Sequence, residues 1–82
     1  MSENEDIFVT VKFFADLLKF GPQKSKERFP KNSTIKSILE KYKISEKKSK
    51  LIILVNGKPH ITVDYLLNEG DIVAIFPPIA GG

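Results

Sequence analysis

Apolar and mixed positions alternate along residues 7–14: Ile7, Val9, Val11 and Phe13 fall on one side, Phe8, Thr10, Lys12 and Phe14 on the other. A period of two is that of a β-strand, and the β-branched and aromatic content agrees. The uniformly apolar side is the core side. The other side carries two aromatic rings that need a cover or a partner. Phe20-Gly21-Pro22 marks a turn, and residues 24–30 read as a second strand that pairs back on the first with Phe29 inward. The period then changes. Ser33 or Thr34 supplies an N-cap oxygen, and Ile35, Ile38, Leu39 and Tyr42 recur at helical spacing. Residues 33–43 are therefore a helix, with lysines toward the end that suits the helix dipole. Residues 44–50 form a polar connector anchored by Ile44.

Leu51 to Val55 is a continuous apolar strand, and Asn56-Gly57 after it is a strong hairpin signal. A short strand from Pro59 to Val63 completes that hairpin. Asp64 to Leu67 is a brief helical turn with Leu66 and Leu67 under the sheet, and Asn68-Glu69-Gly70-Asp71 is a turn. The last strand is Ile72 to Phe76, with Val73 and Ile75 inward and Ala74 and Phe76 outward. Pro77 and Pro78 end the pairing, since proline has no amide hydrogen to donate. The predicted order is β-β-α-β-β-β, a single helix packed across one face of a sheet in an α+β layer structure.

The chain has 82 residues, of which 41% are hydrophobic and 28% charged, so it reads as one small globular domain. It has no cysteine, which excludes disulfides, a thiol nucleophile and cysteine-held metal. His60 is the single histidine and cannot make a zinc site alone. No apolar run is long enough to span a membrane, and the acidic start, with Glu3, Glu5 and Asp6, is unlike a signal peptide. The expected location is the cytoplasm. Outside that start the chain is basic, with five lysines between Lys41 and Lys50, and Arg28 is the only arginine. Nucleic-acid readers favour arginine forks, so nucleic acid is not the expected partner.

The usual catalytic sets are missing. Gly21, Gly57 and Gly70 are isolated turn glycines and Gly81-Gly82 end the sequence, so no phosphate loop forms, and Asp64, Glu69 and Asp71 sit in turns. The notable chemistry is in Pro77-Pro78-Ile79-Ala80-Gly81-Gly82. Two prolines stiffen the base of this segment, and two glycines leave its tip thin. Such a tail, ending in a carboxylate at Gly82, can enter a narrow active site where any Cβ would clash. Adenylation makes that carboxylate an acyl donor for a sulfur or nitrogen nucleophile.

The run Gly70-Asp71-Ile72-Val73-Ala74-Ile75-Phe76-Pro77-Pro78-Ile79-Ala80-Gly81-Gly82 resembles the C-terminal signature of the MoaD family, the ubiquitin-like sulfur carriers that form the small subunit of molybdopterin synthase. Val11-Lys12-Phe13-Phe14-Ala15 resembles the family's first strand, Thr34 with the Ile35, Ile38 and Leu39 stripe its helix start, and Val55-Asn56-Gly57 its central hairpin. Leu18 stands where many members carry an arginine. The resemblance implies an α+β, β-grasp (ubiquitin-like) fold with a mixed sheet. It divides the chain into a flexible acidic N-terminus (1–6), a β-grasp domain (7–76) and an extended Gly-Gly tail (77–82).

It also implies a function. An E1-like adenylating enzyme uses ATP to activate Gly82, and a persulfide donor converts the adenylate to a thiocarboxylate. The large subunit of molybdopterin synthase then receives the tail and takes the sulfur. Gly82 bears the sulfur, Gly81 is its neck, Ala80 and Ile79 continue the tail, and Pro77 and Pro78 steer it. The chain binds no cofactor and contributes no catalytic side chain of its own. If the first and last strands are neighbours, Phe8, Phe14, Ala74 and Phe76 share an outer face suited to partner binding. Two other readings remain. One is a related carrier or modifier serving tRNA thiolation, thiamin thiazole synthesis or lysine conjugation. The other is a plain β-grasp binding module.

Overall fold

The structure is a computed structural model and describes residues 5–44, 51–59 and 62–77. Four strands and one α-helix are defined, β1 (Asp6–Phe13), β2 (Lys24–Pro30), α1 (Ile35–Lys41), β3 (Ile52–Val55) and β4 (Ile72–Phe76), with a 3₁₀ helix at Ala15–Lys19. The sheet order is β2-β1-β4-β3. β1 pairs antiparallel with β2 and parallel with β4, and β4 pairs antiparallel with β3. The first and last strands are thus central neighbours in a mixed sheet, the β-grasp arrangement. The acidic N-terminus lies largely outside the described residues, but Asp6 already belongs to β1 and pairs with Pro30.

The alternation in β1 has the expected consequence. Ile7, Val9, Val11 and Phe13 are buried, together with Phe29 of β2, Ile53 and Val55 of β3, and Val73 and Ile75 of β4. These side chains meet Ile35, Ile38 and Leu39 of α1 in one cluster that also takes in Leu17, Ile44 and Leu67. Tyr42 lies against this cluster, its ring edge-on to Phe13 with centroids 4.9 Å apart.

The helix is shorter than expected. Thr34 is the N-cap, and its backbone N–H donates to Ser37 Oγ at 3.1 Å. At the other end Lys43 adopts φ 59°, Lys43 N–H donates to Glu40 O and Ile44 N–H to Leu39 O. This is a Schellman stop with lysine where glycine is usual, and the buried Ile44 supplies its hydrophobic contact.

The Asn56-Gly57 turn forms as expected. Both residues have positive φ (52° and 84°), and Val55 and Lys58 exchange backbone hydrogen bonds across it. The strand expected from Pro59 to Val63 does not follow. His60 and Ile61 lie outside the described residues, but beyond the Val55–Lys58 bridge the described part is not strand. Pro59 has no N–H for a ladder, and the segment after it bonds elsewhere. Ile35 N–H donates to Tyr65 O and Lys36 N–H to Val63 O, so residues 62–66 serve the open amides of the first helical turn. Leu67 is buried beneath the sheet, whereas Leu66 is 55% exposed, contrary to the pairing of both as core residues. Leu66 bridges Thr34 in an antiparallel contact, so neighbouring side chains must point opposite ways.

Candidate functional site

The tail leaves the sheet at Phe76-Pro77, and the site is built around that exit. β1 ends beside it. Phe14 is still extended (φ −129°, ψ 152°), and Ala15 then turns sharply with φ 55° into the 3₁₀ helix, where Leu17 is buried and Leu18 exposed. Parallel pairing of Phe13 with Ile75 sets the residues that follow each, Phe14 and Phe76, side by side on the outer face. Their rings stack 4.2 Å apart at an interplanar angle of 10°. Both remain partly exposed.

The register fixes what surrounds this pair. Ile52 of β3 lies opposite Phe76, Leu54 opposite Ala74, and Lys12 of β1 opposite Ala74 from the other side. Phe14, Ala74 and Phe76 are therefore brought together at the tail's base. Phe8 shares the same face but stands six residues back along β1, roughly 20 Å away at the strand's rise. There it faces Arg28 of β2, with Lys26 Nζ 5.4 Å from its ring centroid. Pro78, Ile79, Ala80, Gly81 and Gly82 lie outside the described residues.

Two groups on this face were not anticipated. Ile52, Leu54 and Ile72 extend the apolar area; the run Leu51–Val55 hid its own alternation because both its faces are apolar. Lys24, Lys26 and Arg28 form a basic column along β2, legible as every second residue of Lys24-Ser25-Lys26-Glu27-Arg28 once that stretch is accepted as a strand.

The start of β4 is held by a buried carboxylate. Asp71 Oδ1 accepts from Asn56 Nδ2 at 2.9 Å, and Asp71 Oδ2 accepts from the Asn68 N–H at 2.8 Å. Asn56 Oδ1 accepts from the Ile72 N–H at 2.9 Å. This network clamps the β3–β4 register and hence which face Ala74 and Phe76 take. On the core side, Tyr42 donates to Glu27 Oε2 at 2.8 Å. Burial, with the Glu27 carboxylate adding to it, raises the phenol above tyrosine's ordinary pKa. Among the described residues no group of three or more His, Cys, Asp or Glu is placed to hold a metal, and no helix is long and apolar enough to cross a membrane.

The sheet, its crossing helix and the exit from a central strand define a ubiquitin-like β-grasp protein. The chain belongs to the ThiS family, whose model matches residues 11–82, a family of ubiquitin-like sulfur carriers and modifiers. It is similar to a Pyrococcus furiosus protein assigned as molybdopterin converting factor, subunit 1, with 26% identity, TM-score 0.72, and coverage of 89% of this chain and 99% of that one. Small archaeal modifier protein 1 of Haloferax volcanii shares the fold at 20% identity and TM-score 0.70, with 89% and 99% covered. So does a chain in the complex of subunits 1 and 2 of the Helicobacter pylori molybdopterin-converting factor, at 22% identity and TM-score 0.55, with 93% and 100% covered. No curated protein sequence matches the chain.

Proposed function

We propose that this protein is a sulfur carrier that serves molybdopterin synthesis as the small subunit of the synthase. The observation that carries the reading is that central strand β4 ends at Phe76, stacked on Phe14, directly ahead of Pro77–Gly82 in the sequence, in a chain whose family match runs to residue 82. In this reading a Gly82 carboxylate oxygen attacks the α-phosphate of ATP on an E1-like enzyme and pyrophosphate leaves. The outer sulfur of a donor persulfide displaces AMP, and a thiol reductant frees the thiocarboxylate. The tail then enters the large subunit, which supplies the catalytic groups, and the sulfur passes to a pterin precursor. The Pyrococcus furiosus and Helicobacter pylori likenesses support this branch, as does Phe76-Pro77-Pro78 ahead of the glycines. Phe76, Phe14 and Ala74 act as the partner-binding group at the tail's base, with Phe8 at the far end of the same face.

The modifier likeness favours a second reading, in which activated Gly82 is passed to a lysine amine. Intact mass spectrometry after incubation with an adenylating enzyme, ATP and a sulfur donor separates them. A gain equal to one oxygen replaced by one sulfur, lost on deleting Gly82, is the expected result. No gain with an enzyme of proven activity sinks the carrier reading, and isopeptide-linked adducts in its place support the modifier.

A further inference from the structure

The outer face of the sheet changes character from one edge to the other. Across one row, at the level of Ala74, it reads Lys24 on β2, Lys12 on β1, Ala74 on β4 and Leu54 on β3. The next row toward the start of β1 reads Lys26, Thr10 and Ile72. Toward the tail the face ends in Phe14, Phe76 and Ile52. One half is thus cationic and the other apolar, on a single continuous surface. Arg28, in the same basic column, is already engaged with Asp6, its Nε 3.4 Å from the carboxylate. Among the described residues Lys12, Lys24 and Lys26 form no salt bridge.

Two distances tie the halves together. Strand spacing and rise put Lys24 about 12 Å from Phe76. A standard protein interface buries about 800 Å² per partner, a disc roughly 30 Å across. Gly82 lies five residue steps beyond Pro77, a span of at most about 18 Å. A protein that holds Gly82 in its active site must therefore stand close to the tail's base, and a footprint of ordinary size there reaches the lysines.

We propose that Lys12, Lys24 and Lys26 form the cationic half of one docking face. Its occupant is a protein that presents carboxylates about two strand spacings from the apolar pocket receiving Phe14 and Phe76. The inference rests on the carrier reading and adds the chemistry of the partner's surface to it. Lysines steer an acidic protein during encounter, and the apolar half sets how long the complex lasts. Nucleic acid is disfavoured because the one guanidinium on the face is paired with Asp6.

The test is stopped-flow association of the full chain with the adenylating enzyme, across ionic strength. It compares wild type with Lys12→Glu/Lys24→Glu/Lys26→Glu, the triple glutamine variant, and Phe76→Ala. The glutamate variant should associate at least about tenfold more slowly at low salt. The difference should vanish near 1 M salt, where screening acts within ~3 Å. The glutamine variant, which adds no repulsion, gives a smaller loss and stands in if the glutamate variant does not fold. Phe76→Ala should speed dissociation and leave the salt dependence intact. Equal rates for wild type and both lysine variants at every salt overturn the proposal, as does no association at all. So does a lysine dependence confined to binding of a single-stranded RNA oligonucleotide. Sulfur gain at Gly82 with salt-independent association overturns the docking face alone. Lysine-dependent association without sulfur gain supports the face and overturns the carrier reading.

Discussion

On the helix side of the sheet, Val11 and Phe13 of β1 keep no exposed surface, whereas on the other side Phe8 of the same strand keeps 40% and Ile72 of its neighbour β4 keeps 42%. Both sides are rich in apolar residues, yet among the described residues only one has a helix to cover it. The covered side is where burial stabilises the domain. The open side keeps its apolar residues without that gain, and adds lysines that no core would tolerate. Identical residue types therefore carry different information according to face: phenylalanine at position 13 reports on folding, and phenylalanine at positions 14 and 76 reports, in the proposed function, on association.

Paired substitutions across the sheet break this comparison most directly. Phe13→Ala should cost about 3–5 kcal/mol, a large share of the 5–15 kcal/mol typical of a domain, and urea unfolding will measure it. Phe76→Ala should cost under about 1.5 kcal/mol in the same assay, because it loses a stacked neighbour on a partly exposed face. Comparable losses at the two positions would mean that the outer face is structural after all. Asp71→Ala strikes the clamp that decides which way β4 faces. It strands the Asn68 N–H and one Asn56 amide hydrogen, and should cost about 2 kcal/mol, with the Ile72 amide exchanging faster by NMR. Gly21→Ala tests the tightness of the covered side from its rim. A Cβ there would stand 2.9 Å from the Phe13 ring and 3.0 Å from that of Tyr42, for a loss of about 1–3 kcal/mol.

Tyr42 sharpens the contrast through pH. Its folded pKa is raised above the unfolded value. The stability it contributes is therefore fully present below tyrosine's ordinary pKa near 10 and is lost as pH rises through the higher folded value. Thermal melts should show this alkaline decline in wild type and a flatter one in Tyr42→Phe, which gives up about 1 kcal/mol at neutral pH for the missing hydrogen bond to Glu27. The smallest effect is a gain. Lys43→Gly, at φ 59°, should stabilise by about 0.5–1 kcal/mol.

Most of the covered side was legible in the sequence. The alternation of residues 7–13, the Ile35, Ile38, Leu39 and Tyr42 stripe and the Asn56-Gly57 turn each carry a local period or a backbone requirement. Leu66 was misplaced because two adjacent leucines look alike until the bridge to Thr34 orients one outward. The strand after Pro59 was misread because its backbone partners, the amides of Ile35 and Lys36, are distant in sequence. On the open face, Phe14, Ala74 and Phe76 were legible once β1 and β4 were taken as neighbours. Ile52 and Leu54 needed the register, whereas the β2 lysines follow from alternation in a strand with Phe29 inward, a consequence that was not drawn from the sequence.

The parallel pairing of β1 with β4 also has a mechanical consequence. A pull applied at the start of β1 and the end of β4 acts along both strands in opposite senses, so their shared hydrogen bonds are loaded together in shear and cannot be peeled one at a time. Tension on the tail is thus met by the strongest direction of the sheet. A machine that grips residues beyond Phe76 must break the centre of the fold before any of it yields.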